Sequence, residues 1–192
     1  MKRFNSWFLI FILVILTNCN SGPSPSLESE DPDLRRAKIN QLMNAPDAVK
    51  YTETFTQFLE GDPDNLVRAQ AAVALGKIKN PLAIPSLIKA LKDPTPRVRS
   101  DAAKSLGELG AVQAIPDLTN VLDRDALAGV RRVVVKALHK INQPDVIPPL
   151  IQALDDSDPG VAELAYQSLS DITKQKLPKD KSAWEKWHNE PR

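Results

Sequence analysis

Apolar positions recur along this chain on two scales. Val67, Ala71, Leu75 and Ile78 follow one another at intervals of four, four and three, the spacing of a single helix face. The same quartet returns as Val98, Ala102, Leu106 and Leu109, then Val130, Val134, Leu138 and Ile141, then Val161, Ala165, Leu169 and Ile172. The leading valines are 31, 32 and 31 residues apart. A fixed step of that size predicts a stacked helical array, in which each unit buries its apolar face only against its neighbours. Ala74, Ser105, Ala137 and Ser168 recur beside the stripe and are small enough to let adjacent helices approach closely.

A second helix is predicted between successive motif helices, over residues 81–91, 114–122 and 146–154. Pro85, Pro116 and Pro148 take the same place in each. Proline is tolerated in a first helical turn, where its missing N–H has no partner anyway, so these helices are expected to start near the prolines. Leu87, Ile88 and Leu91 then form the apolar stripe of the first of them. Upstream, residues 34–43 carry Leu34, Ile39 and Leu42 at helical spacing, residues 44–46 break the pattern, and residues 47–59 resume it with Val49, Tyr51, Phe55, Phe58 and Leu59. Residues 34–61 are read as a degenerate capping repeat and residues 62–175 as the regular array. In residues 176–192, Trp184 and Trp187 share a helix face. They are expected to cover the open end of the last repeat; a ligand platform and a membrane-interface anchor are the alternatives.

The pattern VRxxAAxxLGxxxxxxAIPxLxxxLxD over residues 67–93 resembles the short HEAT-like repeat named after phycobilisome lyases. The resemblance covers about residues 62–175 and, more weakly, 34–61. It implies an all-α fold, an α–α superhelix of about four to five helix pairs. It says little of function, because arrays of this kind serve many unrelated roles. An aspartate stands five residues before each leading valine (Asp62, Asp93, Asp125, Asp156), and an arginine follows three of them (Arg68, Arg99, Arg131). Asp and Arg recurring in a stack can bond from unit to unit through the planar guanidinium fork. A structural ladder is therefore expected, ending where Ala162 replaces the arginine. A catalytic role does not need one carboxylate per repeat.

The first eighteen residues differ in kind. Lys2 and Arg3 precede an unbroken apolar run from Trp7 to Leu16, the order of a secretory signal and too short for a comfortable span of ~20 residues. The run ends Leu16-Thr17-Asn18-Cys19, which resembles the bacterial lipobox. There a leucine three residues before a cysteine directs lipidation of the cysteine and cleavage in front of it; Asn18 stands where that family usually has Gly, Ala or Ser. Cys19 is the only cysteine. Residues 1–18 are thus expected to be removed, Cys19 lipidated, and the Ser-, Pro- and acid-rich residues 19–33 to form a flexible tether. A plain signal peptide, or an uncleaved anchor with an incidental thiol, is the alternative. The mature chain would hold 23 basic against 24 acidic residues, implying no global field for nucleic acid.

No catalytic constellation, Cys-rich zinc site, calcium loop or phosphate loop is found, so no metal or cofactor is expected. What remains is the wall formed by the exposed sides of the motif helices. Counting 100° per residue, solvent positions fall two, three, six, nine and ten residues after each leading valine. The third repeat places Arg132, Val133, Lys136, His139 and Lys140 there. Arg132, Lys136, His139 and Lys140 are the candidate contact for an acidic segment of a protein partner; a solvated lysine-rich face is the alternative. The first-ranked function is a lipid-anchored, non-catalytic, monomeric scaffold binding a protein partner on the exported side of a bacterial membrane. That side is either the outer membrane or the periplasmic face. The runner-up, allowed by the resemblance, is a chromophore- or cofactor-handling lyase-like subunit.

Overall fold

The computed structural model describes residues 29–190. Among them are ten α-helices and no strand. The signal segment, Cys19 and residues 20–28 of the expected tether lie outside the described residues.

The helices are α1 (Pro32–Met43), α2 (Thr52–Gly61), α3 (Asn65–Ile78), α4 (Ile84–Ala90), α5 (Pro96–Glu108), α6 (Ile115–Arg124), α7 (Ala128–Ile141), α8 (Ile147–Gln152), α9 (Pro159–Thr173) and α10 (Lys181–Asn189). The motif helices α3, α5, α7 and α9 pack each on the next and form one layer; α2, α4, α6 and α8 form the other. The second-layer helices α4, α6 and α8 each carry proline in their first two positions and follow a short 3₁₀ turn. Proline's fixed φ sets the start, and the turn before it absorbs the change of direction. Asp64 and Asp158 cap α3 and α9 through their side chains, accepting N–H groups that a helix start leaves unpaired.

One boundary differs from the sequence reading, and the degenerate first unit is ordered differently from the regular repeats. The first helix begins at Pro32, and the Ser29 and Glu30 carbonyls accept from Arg35 Nη1 (2.7 and 3.0 Å), so residues 29–33 are tied into the fold. In addition, α1 packs against α3. It sits in the motif layer, while α2 opens the other layer, so residues 34–61 are not a helix pair ordered like the regular repeats.

The core is one continuous apolar cluster running from Ile39 through Leu75, Leu106 and Leu138 to Leu169 and Trp184, all fully buried. The motif helices touch along their flanks. There Ser105 Oγ donates to the Ala72 carbonyl at 2.8 Å. A Cβ on Gly107 would fall 2.8 Å from Ala137 Cα, so glycine is what lets α5 and α7 meet. The same contact corrects three expected solvent positions. Ala69, Gly76 and Gly107 are buried, because the neighbouring helix covers the flank that a single-helix projection assigns to water.

The charged pairs form a ladder along the stack. Arg68 spans to Asp93 (Nε–Oδ2 2.8 Å, Nη2–Oδ1 3.1 Å), Arg99 to Asp125 (2.6 and 3.0 Å), and Arg131 to Asp156 (2.7 and 2.6 Å). Each arginine turns Nη1 back to the carbonyl of its own repeat's aspartate: Asp62, Asp93 and Asp125. Each aspartate also accepts a backbone N–H two residues on. One rung escaped the sequence: Arg35 pairs with Asp62 (2.7 and 2.8 Å), carrying the ladder into α1. Beyond Asp156 the place of the next arginine is taken by Ala162, which is buried.

At the far end, α10 packs on α8. Trp184 is fully buried, stands edge-on to Tyr166 and Trp187, and donates from Nε1 to the Pro178 carbonyl at 3.0 Å. A side chain so enclosed covers the last repeat and offers no face to a ligand or a bilayer. Among the described residues no helix is long and apolar enough to cross a membrane.

Candidate functional site

The wall is a grid with motif helices as columns and repeat positions as rows. Three residues after the leading valines stand Gln70, Asp101, Val133 and Leu164; six after, Val73, Lys104, Lys136 and Gln167; ten after, Lys77, Glu108, Lys140 and Asp171. Between α5, α7 and α9 the grid sinks into a groove of about 570 Å³. Val133 and Leu164 give it an apolar floor, Lys104, Lys136 and Gln167 cross its middle, and Glu108, His139, Lys140 and Asp171 edge it. Val133 and Leu164 are half-buried against the core, while the Lys104 and Lys136 chains are exposed.

The four residues expected to form a basic patch on α7 have different fates. Arg132 forks onto Asp158 (Nε–Oδ1 3.0 Å, Nη2–Oδ2 2.9 Å). Lys140 pairs with Glu108 across to α5. That lysine's hydrogen bond is the main reason the Glu108 carboxyl is held below its ordinary value; burial opposes it, and the Lys140, Lys104 and Lys79 charges add to it. Two of the four are thus paired within the fold: Arg132 and Lys140 meet carboxylates of neighbouring repeats, because a stack places α5 and the α9 cap within reach of α7. His139 is half-exposed at the groove edge. Lys136 alone of the three long cations remains open, and it is joined by Lys104 from α5, which a view confined to one helix could not supply.

Elsewhere on the wall, polar groups are closed within the fold. Gln70 Nε2 donates to Asn40 Oδ1 at 2.7 Å, and the Lys77 ammonium donates to Asn44, sealing α3 to α1. Among the described residues no group of three or more His, Cys, Asp or Glu could hold a metal ion.

The two-layer stack, the glycine and proline positions and the aspartate–arginine ladder define an all-α helical-repeat protein, a superhelical solenoid. A family model of HEAT repeats matches residues 24–88, 52–138 and 115–183, and the chain belongs to the HEAT-repeat family. Among solved structures it is similar to the complex of CpcE and CpcF of phycocyanin lyase from Nostoc sp. PCC7120, with 28% identity, a TM-score of 0.65, and coverage of 82% of this chain and 68% of that one. It shares its fold with human deoxyhypusine hydroxylase in complex with glycerol, at 18% identity and a TM-score of 0.59, over 76% of this chain and 64% of that one. A designed armadillo repeat protein is also similar in fold, at 20% identity and a TM-score of 0.53, over 87% of this chain and 91% of that one. No curated protein matches the sequence.

Proposed function

We propose that this chain is a lipid-anchored, non-catalytic HEAT-repeat scaffold that binds a protein partner on the exported side of a bacterial membrane, through the groove between α5, α7 and α9. The observation that carries this reading is the groove itself: an apolar floor of Val133 and Leu164 in a wall whose other polar groups are mostly closed within the fold. Exposed apolar surface rimmed by polar groups marks an interaction site more often than a bare solvated face. The anchor rests on the run ending Leu16-Thr17-Asn18-Cys19. One acyl chain holds a protein to a bilayer only marginally, whereas several hold it firmly.

Crosslinking on native membranes tests the reading. Leu164→Asp places a negative charge on the apolar floor and should abolish capture of the wild-type partner while leaving helicity unchanged. Gln167→Trp, at an exposed position in the same groove, fills the groove without adding charge and repeats the test without touching the core. Capture of the same partners by both variants refutes the groove.

A second reading is favoured by the similarity to the CpcE–CpcF complex of phycocyanin lyase: a subunit that handles a chromophore or cofactor. Protein purified from its own host decides between them. Visible absorbance from a bound pigment supports the second reading; a spectrum of tryptophan and tyrosine alone supports the first.

A further inference from the structure

Helices α3, α5 and α7 carry nine lysines and arginines. Seven are engaged within the fold: Arg68, Arg99 and Arg131 in the ladder, Arg97 with Asp101, Arg132 with Asp158, Lys140 with Glu108, and Lys77 with Asn44. The remaining two, Lys104 and Lys136, have no hydrogen bond or ion pair to any described residue. They occupy the same position in adjacent repeats and both line the groove, Lys136 one helical turn beyond Val133 on α7 and Lys104 at the equivalent place on α5.

Resting on the scaffold reading, we propose that the groove takes an acidic peptide segment, in which a carboxylate sits between Lys104 and Lys136 and a neighbouring large apolar side chain lies on Val133 and Leu164. Two ammonium groups lining one groove repel, and an anion between them removes that repulsion while gaining two charge-assisted hydrogen bonds. A carboxylate fits better than a phosphate. The nearby guanidinium forks of Arg131 and Arg132 are already occupied, and forks are what phosphate recognition favours. The groove also lies on the middle and C-terminal halves of α5 and α7. Backbone N–H groups there are bonded within the helix, and the helix dipole presents its negative end, which opposes a dense dianion. The apolar floor excludes a purely ionic ligand. A recessed groove does not meet a planar bilayer, so anionic lipid is the lesser source of negative charge.

The probe is a phage-displayed library of random dodecapeptides selected on the immobilised mature chain and, in parallel, on Lys104→Gln/Lys136→Gln. Both substitutions lie at exposed positions and should leave the melting curve unchanged. Enrichment of sequences with Asp or Glu next to Leu, Ile or Phe is expected on the wild type and should be lost on the double variant. A synthetic peptide of the enriched sequence should bind at least tenfold more weakly to the double variant, and more weakly to the wild type as salt is raised. Sequences without acidic residues that Gln167→Trp still blocks overturn the acidic partner and leave the scaffold reading standing. No enrichment that depends on Gln167→Trp overturns both. Lysine-dependent sedimentation with phosphatidylglycerol vesicles, without peptide enrichment, overturns the peptide in favour of lipid.

Discussion

Truncating Arg99 isolates what one rung of the ladder contributes. Its guanidinium makes four hydrogen bonds: two to Asp125, at 2.6 and 3.0 Å, and one each to the Asp93 and Pro94 carbonyls, at 2.9 and 3.1 Å. The side chains of Arg99 and Asp125 are 17% and 4% exposed. In Arg99→Ala the Asp125 carboxylate stays buried and keeps only the Leu127 N–H as donor. Removing one partner of a fully buried pair costs about 3–5 kcal/mol, while an exposed pair contributes about 0–1 kcal/mol. The carboxylate left behind is at the buried end of that range and the arginine is slightly wet, so a cost of roughly 2–4 kcal/mol is expected. For a chain of this size each kcal/mol moves the melting temperature by about 2–4 °C, a fall of roughly 5–15 °C. Far-ultraviolet circular dichroism at neutral pH measures it. Lys104→Ala, at an exposed wall position, should move it by less than about 2 °C. The pair is also expected to be coupled. Arg99→Ala/Asp125→Ala should cost less than the sum of the single variants, because the second change removes the stranded charge. Equal shifts for Arg99→Ala and Lys104→Ala, or simple additivity in the cycle, would refute the account of the rung.

Four further outcomes are expected. The carboxyls of Asp93, Asp125 and Asp156 are held below their ordinary value. For Asp93 and Asp125 burial is the largest influence and pushes upward, but the arginine hydrogen bond and charge with a backbone N–H outweigh it; for Asp156 the Arg131 hydrogen bond leads. A folded pKa below the unfolded value of about 3.9 gives stability that is present above about pH 4 and lost as pH falls through the folded values. Melting scans from pH 7 downward should therefore show a drop below about pH 4 that is shallower in Asp156→Asn; identical profiles would count against it. Gly107→Ala should destabilise by about 1–3 kcal/mol, since its Cβ meets Ala137 backbone, whereas Gly129→Ala meets nothing within 4 Å and should stabilise by about 0.5 kcal/mol; urea midpoints of the two variants should move in opposite directions. Trp184→Ala opens the end of the stack and should cost about 3–5 kcal/mol, read by chemical denaturation. Mass spectrometry of the mature N-terminus should find acylated Cys19 as the first residue; an unmodified cysteine or cleavage elsewhere removes the anchor from the proposed function.

The regular architecture could be read in the chain because it is repeated and local. The spacing of Val67, Ala71, Leu75 and Ile78, returning at 31 or 32 residues, states which helix face is buried, and Pro85, Pro116 and Pro148 state where the other helices start. These features depend on interactions within a turn or two of helix, which spacing encodes directly. The Asp–Arg ladder was visible because it too repeats. Its first rung was not, although Leu34-Arg35 echoes Val67-Arg68 at a distance of 33 residues, because residues 29 and 30 carry no aspartate to complete the motif. The wall was beyond the sequence for a different reason. A projection of one helix places Arg132, Lys136 and Lys140 on one face, but it holds no information about the neighbouring columns. Only the stack brings Asp158 to Arg132 and Glu108 to Lys140, buries Ala69, Gly76 and Gly107, and brings Lys104 and Lys136 to one groove. Charge pairing on that wall depends on the separation and rotation of adjacent helices, and those are set by how closely residues such as Gly107 and Ala137 let the backbones approach.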